Sequence, residues 1–215
     1  MQVIEKISQI DELKSFHNEC YAIPIFTDSK KHRLNNSLSL LYINCDNKEF
    51  MLCFDHSESL SIPIEQLNSL NFNKIYVPNK NELNFDNLID VSMLYYLNTN
   101  KVLENDCDSD THNYFERKYY RFNNLNKLIP IYKHLEYCRK IVQKMKRIVE
   151  VCTEDKVFKI YNNDVLSNLE FIESSGLKVD KSKIPIDYQR HIGTGDLVYT
   201  EYNPYTSTGR PSNKY

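Results

Sequence analysis

The sequence predicts a mixed α/β fold (α+β): a mixed sheet flanked by helices, then a helical segment, then one further strand. Three observations predict it. Runs rich in β-branched and aromatic residues, set apart by Asn, Asp and Pro, fill the first ~120 residues in the order β, α, β, β, β, α, β, α. The three central strands succeed one another through short connections, as antiparallel neighbours do. Beyond them, apolar residues recur at three- and four-residue steps over a stretch too long for a strand.

Each element rests on its own residues. QVIEKI reads as a strand and SQIDELKSFHN as a short helix, capped by Ser8 with Asp11 and Glu12 in its first turn. AIPIFTD and SLSLLYINC are strands, and FMLCFDH is the next. Asp46-Asn47 between the last two is a hairpin signal, because these side chains tolerate the left-handed backbone a tight turn requires. SIPIEQLNSLN is a short helix. NKIYVPN is a strand that Pro78 ends, since proline brings no N–H to a ladder. FDNLIDVSMLYYLN begins as a strand and continues as a helix, with Leu88, Ile89, Val91, Met93, Leu94 and Leu97 as its apolar residues.

LENDCDSDTHNYFERKYYRFNN has no period and reads as a connection. LNKLIPIYKHLEYCRKIVQKMKRIVE is a long helix whose apolar face is Leu135, Cys138, Ile141, Val142, Met145, Ile148 and Val149. Its other face carries Lys133, Arg139, Lys140, Lys144, Lys146 and Arg147. Such a face tracks a phosphate backbone or simply faces water, and solvation is the plainer reading. FKIYNNDVLSNLEFIESSGLKVD is a second helix with Leu166, Leu169, Phe171 and Ile172 on its apolar side and Gly176 as its stop. Leu177 and Val179 re-enter as an extended stretch. After a loop at Gly193 and Gly195, DLVYTEYN is a strand by alternation, and it would be an open edge by itself.

Composition removes several function classes. With 41% hydrophobic and 26% charged residues among 215, the chain folds rather than staying disordered. A net charge of −2 gives no global basic footprint for nucleic acid, although a local basic face remains open. The six cysteines form no CxxC pair and read as free thiols of a reduced, cytoplasmic protein. His134 and Cys138, at helical spacing, read as packing rather than a metal site. The amphipathic N-terminus is unlike a signal peptide, and no apolar run approaches a membrane span, so no membrane partner is expected.

Two motifs near the C-terminus carry a resemblance. Thr206-Ser207-Thr208-Gly209-Arg210-Pro211-Ser212-Asn213 resembles the T-x-T-G-R-x-S segment of family A (Pol I-like) DNA polymerases, and its GRPSN form is similar to polymerases of tailed phages. Upstream, LSNLEFIESSGLKVD resembles the helix ending in L-x-x-L/M-E-x-x-G-h-x-h-D, with Leu166, Leu169, Glu170, Gly176 and Asp180 as matches and a longer gap between Glu170 and Gly176 than is commonest. The strand order of the first part is that of an RNase H-like or DnaQ-exonuclease-like sheet.

The resemblance implies residues 1–125 as a 3′–5′ exonuclease-like domain, 126–194 as a helical thumb base and 195–215 as the start of a polymerase palm. It implies primer–template DNA and a single-stranded 3′ end as ligands, with Thr208, Gly209, Arg210, Ser212 and Asn213 at the DNA and Arg210 reaching the minor groove. Nucleotidyl transfer in the family uses two Mg²⁺ held by carboxylates of later palm motifs, so the rest of the polymerase is an expected partner and this chain alone is expected not to polymerise. The exonuclease site needs acidic residues for two metals. Asp28-Ser29-Lys30 stands where D-x-E is expected, so a lysine replaces the glutamate. Asp90, with Asp86 four residues before it, stands where Y-x-x-x-D is expected, and Glu82 is the acid nearest the strand IYVPN, beside Asn79 and Asn81. This reads as a degenerate exonuclease kept as scaffold. The competing reading makes Asp28 a turn residue and Asp90 a helix N-cap. A stand-alone metal-dependent exonuclease using Asp28, Asp90 and Asp86 or Glu82 is the alternative function, and a non-catalytic interaction module is a third.

Overall fold

The computed structural model describes residues 1–16, 18–28, 32–102, 125–206 and 211–213. Strands β1 (Gln2–Ile4), β2 (Glu19–Phe26), β3 (Leu38–Cys45), β4 (Lys48–Cys53), β5 (Lys74–Val77) and β6 (Leu88–Asp90) form one sheet in the order β1-β4-β3-β2-β5-β6. β2, β3 and β4 are an antiparallel meander, and β5 and β6 extend it parallel to β2. A three-strand meander continued on its far side by two strands parallel to its first is the arrangement of an RNase H-like sheet, in agreement with the predicted fold class. β1 is added parallel to β4 at the edge.

Local chemistry explains these elements. Asp46 and Asn47 both take positive φ (47° and 64°) and join β3 to β4 by a two-residue turn, as their residue types predict. All eight residues of β3 are buried, which is why LSLLYINC reads as a near-continuous apolar run: both faces of this strand are covered. Its one hydroxyl off the tyrosine, Ser39, donates to the Asp55 carbonyl at 2.6 Å. Pro24 sits in β2 beyond Tyr21, the last residue that β5 pairs, where an absent N–H breaks no β5 ladder.

One face of the sheet packs against α1 (Ile10–Lys14), with Ile10 and Leu13 meeting Phe50, Leu52 and Phe72. The predicted Ser8 cap is replaced by Gln9, whose Oε1 accepts from the N–H groups of Glu5 and Lys6 at 2.9 Å each, because the chain enters α1 through a 3₁₀ turn, Ile7–Gln9. SIPIEQLNSLN likewise closes only a 3₁₀ turn, Ile64–Ser69. After β6 the chain continues as α2 (Val91–Thr99). The opposite face is covered by α3 (Ile131–Val151), which buries Leu135, Cys138, Ile141, Val142, Met145 and Ile148 against Ile23, Ile25, Tyr42 and Met51. The predicted apolar face is therefore the observed one, with Val149 half-buried at its end. His134 Nε2 donates to the Asn126 carbonyl (2.9 Å) and the ring stands edge-on to His56, while Cys138 packs on the sheet.

The second predicted helix is α4 (Lys156–Ile160) and α5 (Leu166–Ser175) joined by a π turn, Tyr161–Val165. Phe158 and Leu166 pack with Met93 and Leu94 of α2. Phe171 and Ile172, predicted on the apolar side, are instead 72% and 52% exposed. Gly176 ends α5 at φ 64°, against the Tyr199 ring. The predicted single strand DLVYTEYN is two short ones: β7 (Leu177–Lys178) pairs β8 (Leu197–Val198), and β9 (Tyr202–Asn203) pairs β10 (Ser212–Asn213). Residues 199–201 separate β8 from β9, and the Tyr202 N–H at the start of β9 donates to the Glu173 carboxylate. The segment 103–124, read as a connection, lies outside the described residues. Among the described residues no helix is long and apolar enough to cross a membrane.

Candidate functional site

The C-terminal ends of β5 and β6 converge on Asp90. Pro78 stops β5, a 3₁₀ turn at Lys80–Glu82 comes next, and β6 returns beside β5 to end at Asp90. Asp90 has extended backbone (φ −76°, ψ 107°) and caps α2: the Met93 N–H donates to Oδ1 at 2.7 Å. The Lys80 N–H donates to Oδ2 at 2.9 Å, and the Tyr205 hydroxyl donates to the carboxylate at 3.3–3.4 Å. The side chain is fully buried. Burial pushes its pKa up to about 6, against the pull of its hydrogen bonds. Burial and the neighbouring Asp90 push the Tyr205 hydroxyl up as well. Tyr205 also meets Tyr96 ring edge to face, and Tyr96 donates to the Thr206 carbonyl at 2.6 Å.

Asn162 completes this cluster. The π turn places it inward, where Nδ2 donates to the Leu88 carbonyl (3.0 Å) and Oδ1 accepts the Asp90 N–H (2.9 Å). One carboxamide thus satisfies the outer edge of β6 as a strand would. Lys80 Nζ donates to the Asn162 carbonyl (2.6 Å) and to Ser167 Oγ (3.3 Å), and burial lowers its pKa. Sequence reasoning missed Asn162. Its only trace is the polar Asn-Asn-Asp interruption in an otherwise periodic helix.

The other predicted acids lie elsewhere. Asp28 is half-buried past the end of β2; its backbone N–H and carbonyl bond the Asn36 side chain, and it bridges Leu125. It lies in the connection between β2 and β3. Asp86 is exposed in the turn before β6. Lys30 lies outside the described residues. Glu82 closes the 3₁₀ turn with its N–H on the Asn79 carbonyl. Among the described residues, no group of three or more His, Cys, Asp or Glu stands close enough to hold a metal ion. A Mg²⁺ pair does not fit this donor set: the buried carboxylate of Asp90 is engaged by protein donors, and among the described residues no group of three such acids gathers around it.

Near the second motif, the buried acid is Glu173, 1% exposed, and not Glu170. Its Oε1 accepts the Tyr202 N–H at 2.7 Å and its Oε2 accepts from Arg33 Nη2 at 3.2 Å; Arg33 also approaches Glu170 at 3.5 Å. With Glu173, the segment Leu169, Ile172, Glu173, Gly176 meets the spacing L-x-x-h-E-x-x-G without a gap. Ser212 and Asn213 form β10, opposite Asn203 and Tyr202, and Thr208, Gly209 and Arg210 lie outside the described residues.

The basic face of α3 is partly engaged. Arg139 forms a two-pronged bond with Glu49 (2.7 and 2.6 Å), which holds the Glu49 carboxyl down at about 2. Lys133 pairs with Glu136, and Lys146 lies over the Tyr21 ring.

No family model matches the sequence, and no curated protein matches it. Among solved structures, the chain is similar to the catalytic core of RRP6 from Trypanosoma brucei, with 13% identity and a TM-score of 0.38. The alignment covers 90% of this chain and 57% of that one. The strand order and directions carry the fold assignment, and that likeness adds no chemistry to it.

Proposed function

We propose that this chain is the N-terminal part of a family A, phage-type DNA polymerase acting in DNA replication, with its exonuclease-like sheet kept as a scaffold. One observation supports this above the others. The carboxylate at the position the family reserves for a metal caps α2, and the Tyr205 hydroxyl, five residues ahead of Arg210, seats on it. An exonuclease ligand has become an anchor for the segment that leads into Thr206–Asn213. In this reading residues 1–125, 126–194 and 195–215 are the exonuclease-like part, the thumb base and the start of the palm, although α3 shares the core of the sheet. Thr208, Gly209, Arg210, Ser212 and Asn213 contact primer–template DNA. The two-Mg²⁺ nucleotidyltransferase centre belongs to the remainder of the polymerase.

Two assays on one preparation test the reading. Binding of a labelled primer–template duplex should be salt-dependent, and Arg210→Ala should weaken it about tenfold, the worth of one good guanidinium contact. Labelled single-stranded DNA should survive incubation with Mg²⁺ or Mn²⁺. Cleavage that Asp28→Ala and Asp90→Ala both abolish would install the stand-alone 3′–5′ exonuclease in its place.

A further inference from the structure

Through the π turn, α4 and α5 form one uninterrupted helical run, residues 156–175, about 30 Å long. Phe158 of α4 and Leu166 of α5 pack in one cluster with Met93 and Leu94 of α2, so the buried sides of the two halves are in line. The outer sides are therefore in line as well. At about 100° per residue, Ile160 lies about 160° from Phe158, and Phe171 and Ile172 lie about 140° and 120° from Leu166. These three share the outer face, with Val157 at its margin, and all four are exposed.

An exposed apolar residue by itself is ordinary. Here four stand along one face of one helix, and they fall into two groups. Val157 and Ile160 are near its start, Phe171 and Ile172 near its end, and the exposed Asn163 and Asn168 lie between. Lys156 lies about 160° from Phe158, on the same outer face, and Lys159 stands at the margin opposite Val157. Both lysines are exposed. α4 has no acid in its first turn, where its cap Asp155 accepts the Phe158 N–H, and α5 has no base in its last turn. The positive end of the helix dipole thus carries a cation, and the negative end carries none of its own.

We propose that this face is an interface with a second copy of the chain, the two helical runs lying antiparallel about a two-fold axis. The register that sets Ile160 of one copy beside Ile172 of the other also sets Lys156 beside Gly176 of the other, at the carbonyl end of its α5. Each apolar group then covers its counterpart, and each lysine meets the negative end of a dipole. The two-fold axis makes every such contact twice. A parallel pair would set Lys156 against Lys156. Four apolar side chains from each copy make a small interface, so the dimer is a weak one. The inference goes beyond the proposed function and does not rest on it.

Sedimentation velocity of the whole chain over a range of concentrations tests it. The parent should pass from monomer to dimer, half associated on the order of tens of micromolar. Phe171→Asp should stay monomeric with an unchanged denaturation midpoint, because its side chain packs little within the monomer. Ile160→Asp should do the same, and it serves if the first variant does not fold. Lys156→Glu should weaken the dimer severalfold, and added salt should weaken the parent dimer. The register is read by thiol–disulfide exchange with oxidised glutathione, which leaves as reduced glutathione. A mixture of Ile160→Cys and Ile172→Cys should give a cross-linked dimer that neither variant, nor the parent, gives by itself. A parent that stays monomeric overturns the proposal, whatever else binds the face. A dimer that Phe171→Asp and Ile160→Asp both leave intact overturns the choice of face. Cross-linking within each single variant, and not in the mixture, overturns the antiparallel arrangement.

Discussion

Replacing Asp90 by alanine tests what its carboxylate does. The change uncaps α2, worth about 1 kcal/mol, and leaves the half-buried Lys80 N–H without its acceptor, worth about 1–3 kcal/mol. A second effect works the other way. Burial holds the carboxyl at about 6 in the fold against an ordinary 3.8. The folded value is raised, so the stabilisation from Asp90 is whole below the unfolded pKa and is lost as pH rises through about 6. The difference between the two values is worth about 3 kcal/mol. Asp90→Ala should therefore cost about 2–4 kcal/mol near pH 4 and little above about pH 7. Asp90→Asn keeps an acceptor for the Met93 N–H and loses the one for Lys80, so its cost at low pH should be smaller. Urea unfolding monitored by far-UV circular dichroism across that range, with and without Mg²⁺, reads both. A cost that does not change with pH would refute the buried-cap argument. A parent that Mg²⁺ stabilises, beside a variant that it does not, would restore Asp90 as a metal ligand.

Three further outcomes are expected from the core. Burial holds His134 down at about 4 against an ordinary 6.5, so its stabilisation is present above the unfolded value and is lost as pH falls toward 4; the parent should lose about 3 kcal/mol more than His134→Gln over that interval, and equal losses in denaturant unfolding would sink the idea. Met145, 1% exposed between α3 and the sheet, should cost roughly 2–4 kcal/mol on change to alanine; a cost below about 1 kcal/mol would mean that α3 is not docked as described. Cys20 and Cys45 face each other across β2 and β3, and their mutual hydrogen bond, with burial, pushes the Cys20 thiol far up; both are buried, so neither should react with a thiol reagent until the protein unfolds. Labelling of both in the native state, read by mass spectrometry, would contradict that packing.

The meander and α3 were legible in the residues because each rests on a local pattern. Asp46-Asn47 carries its own turn geometry, and the α3 face repeats at helical steps. α5 was misread for a definable reason. Its apolar residues read as its buried face, whereas at about 100° per residue Glu173 falls within about 20° of the buried Leu166, and Phe171 and Ile172 lie about 140° and 120° from it, so the period itself puts Glu173 inside and those two outside, as the fold does. The π turn at Tyr161–Val165 inserts an extra residue ahead of α5. The same insertion turns Asn162 into the partner of the β6 edge, a role its residue type alone does not announce. Glu173 was findable: counting back from Gly176 at the commonest motif spacing reaches it and not Glu170.

By itself the sequence determined the order of elements, the hairpin, the stop at Pro78 and the buried stripe of α3, because each is set by neighbours within a turn or two of chain. The tertiary structure decided what the carboxylates do. Asp90 could be read as a cap or as a metal ligand from its local context, and the choice was made by groups 10, 72 and 115 residues away: the Lys80 N–H, the Asn162 carboxamide and the Tyr205 hydroxyl. A buried carboxylate takes its role from whichever donors the fold brings to it, and those donors share no sequence period with it.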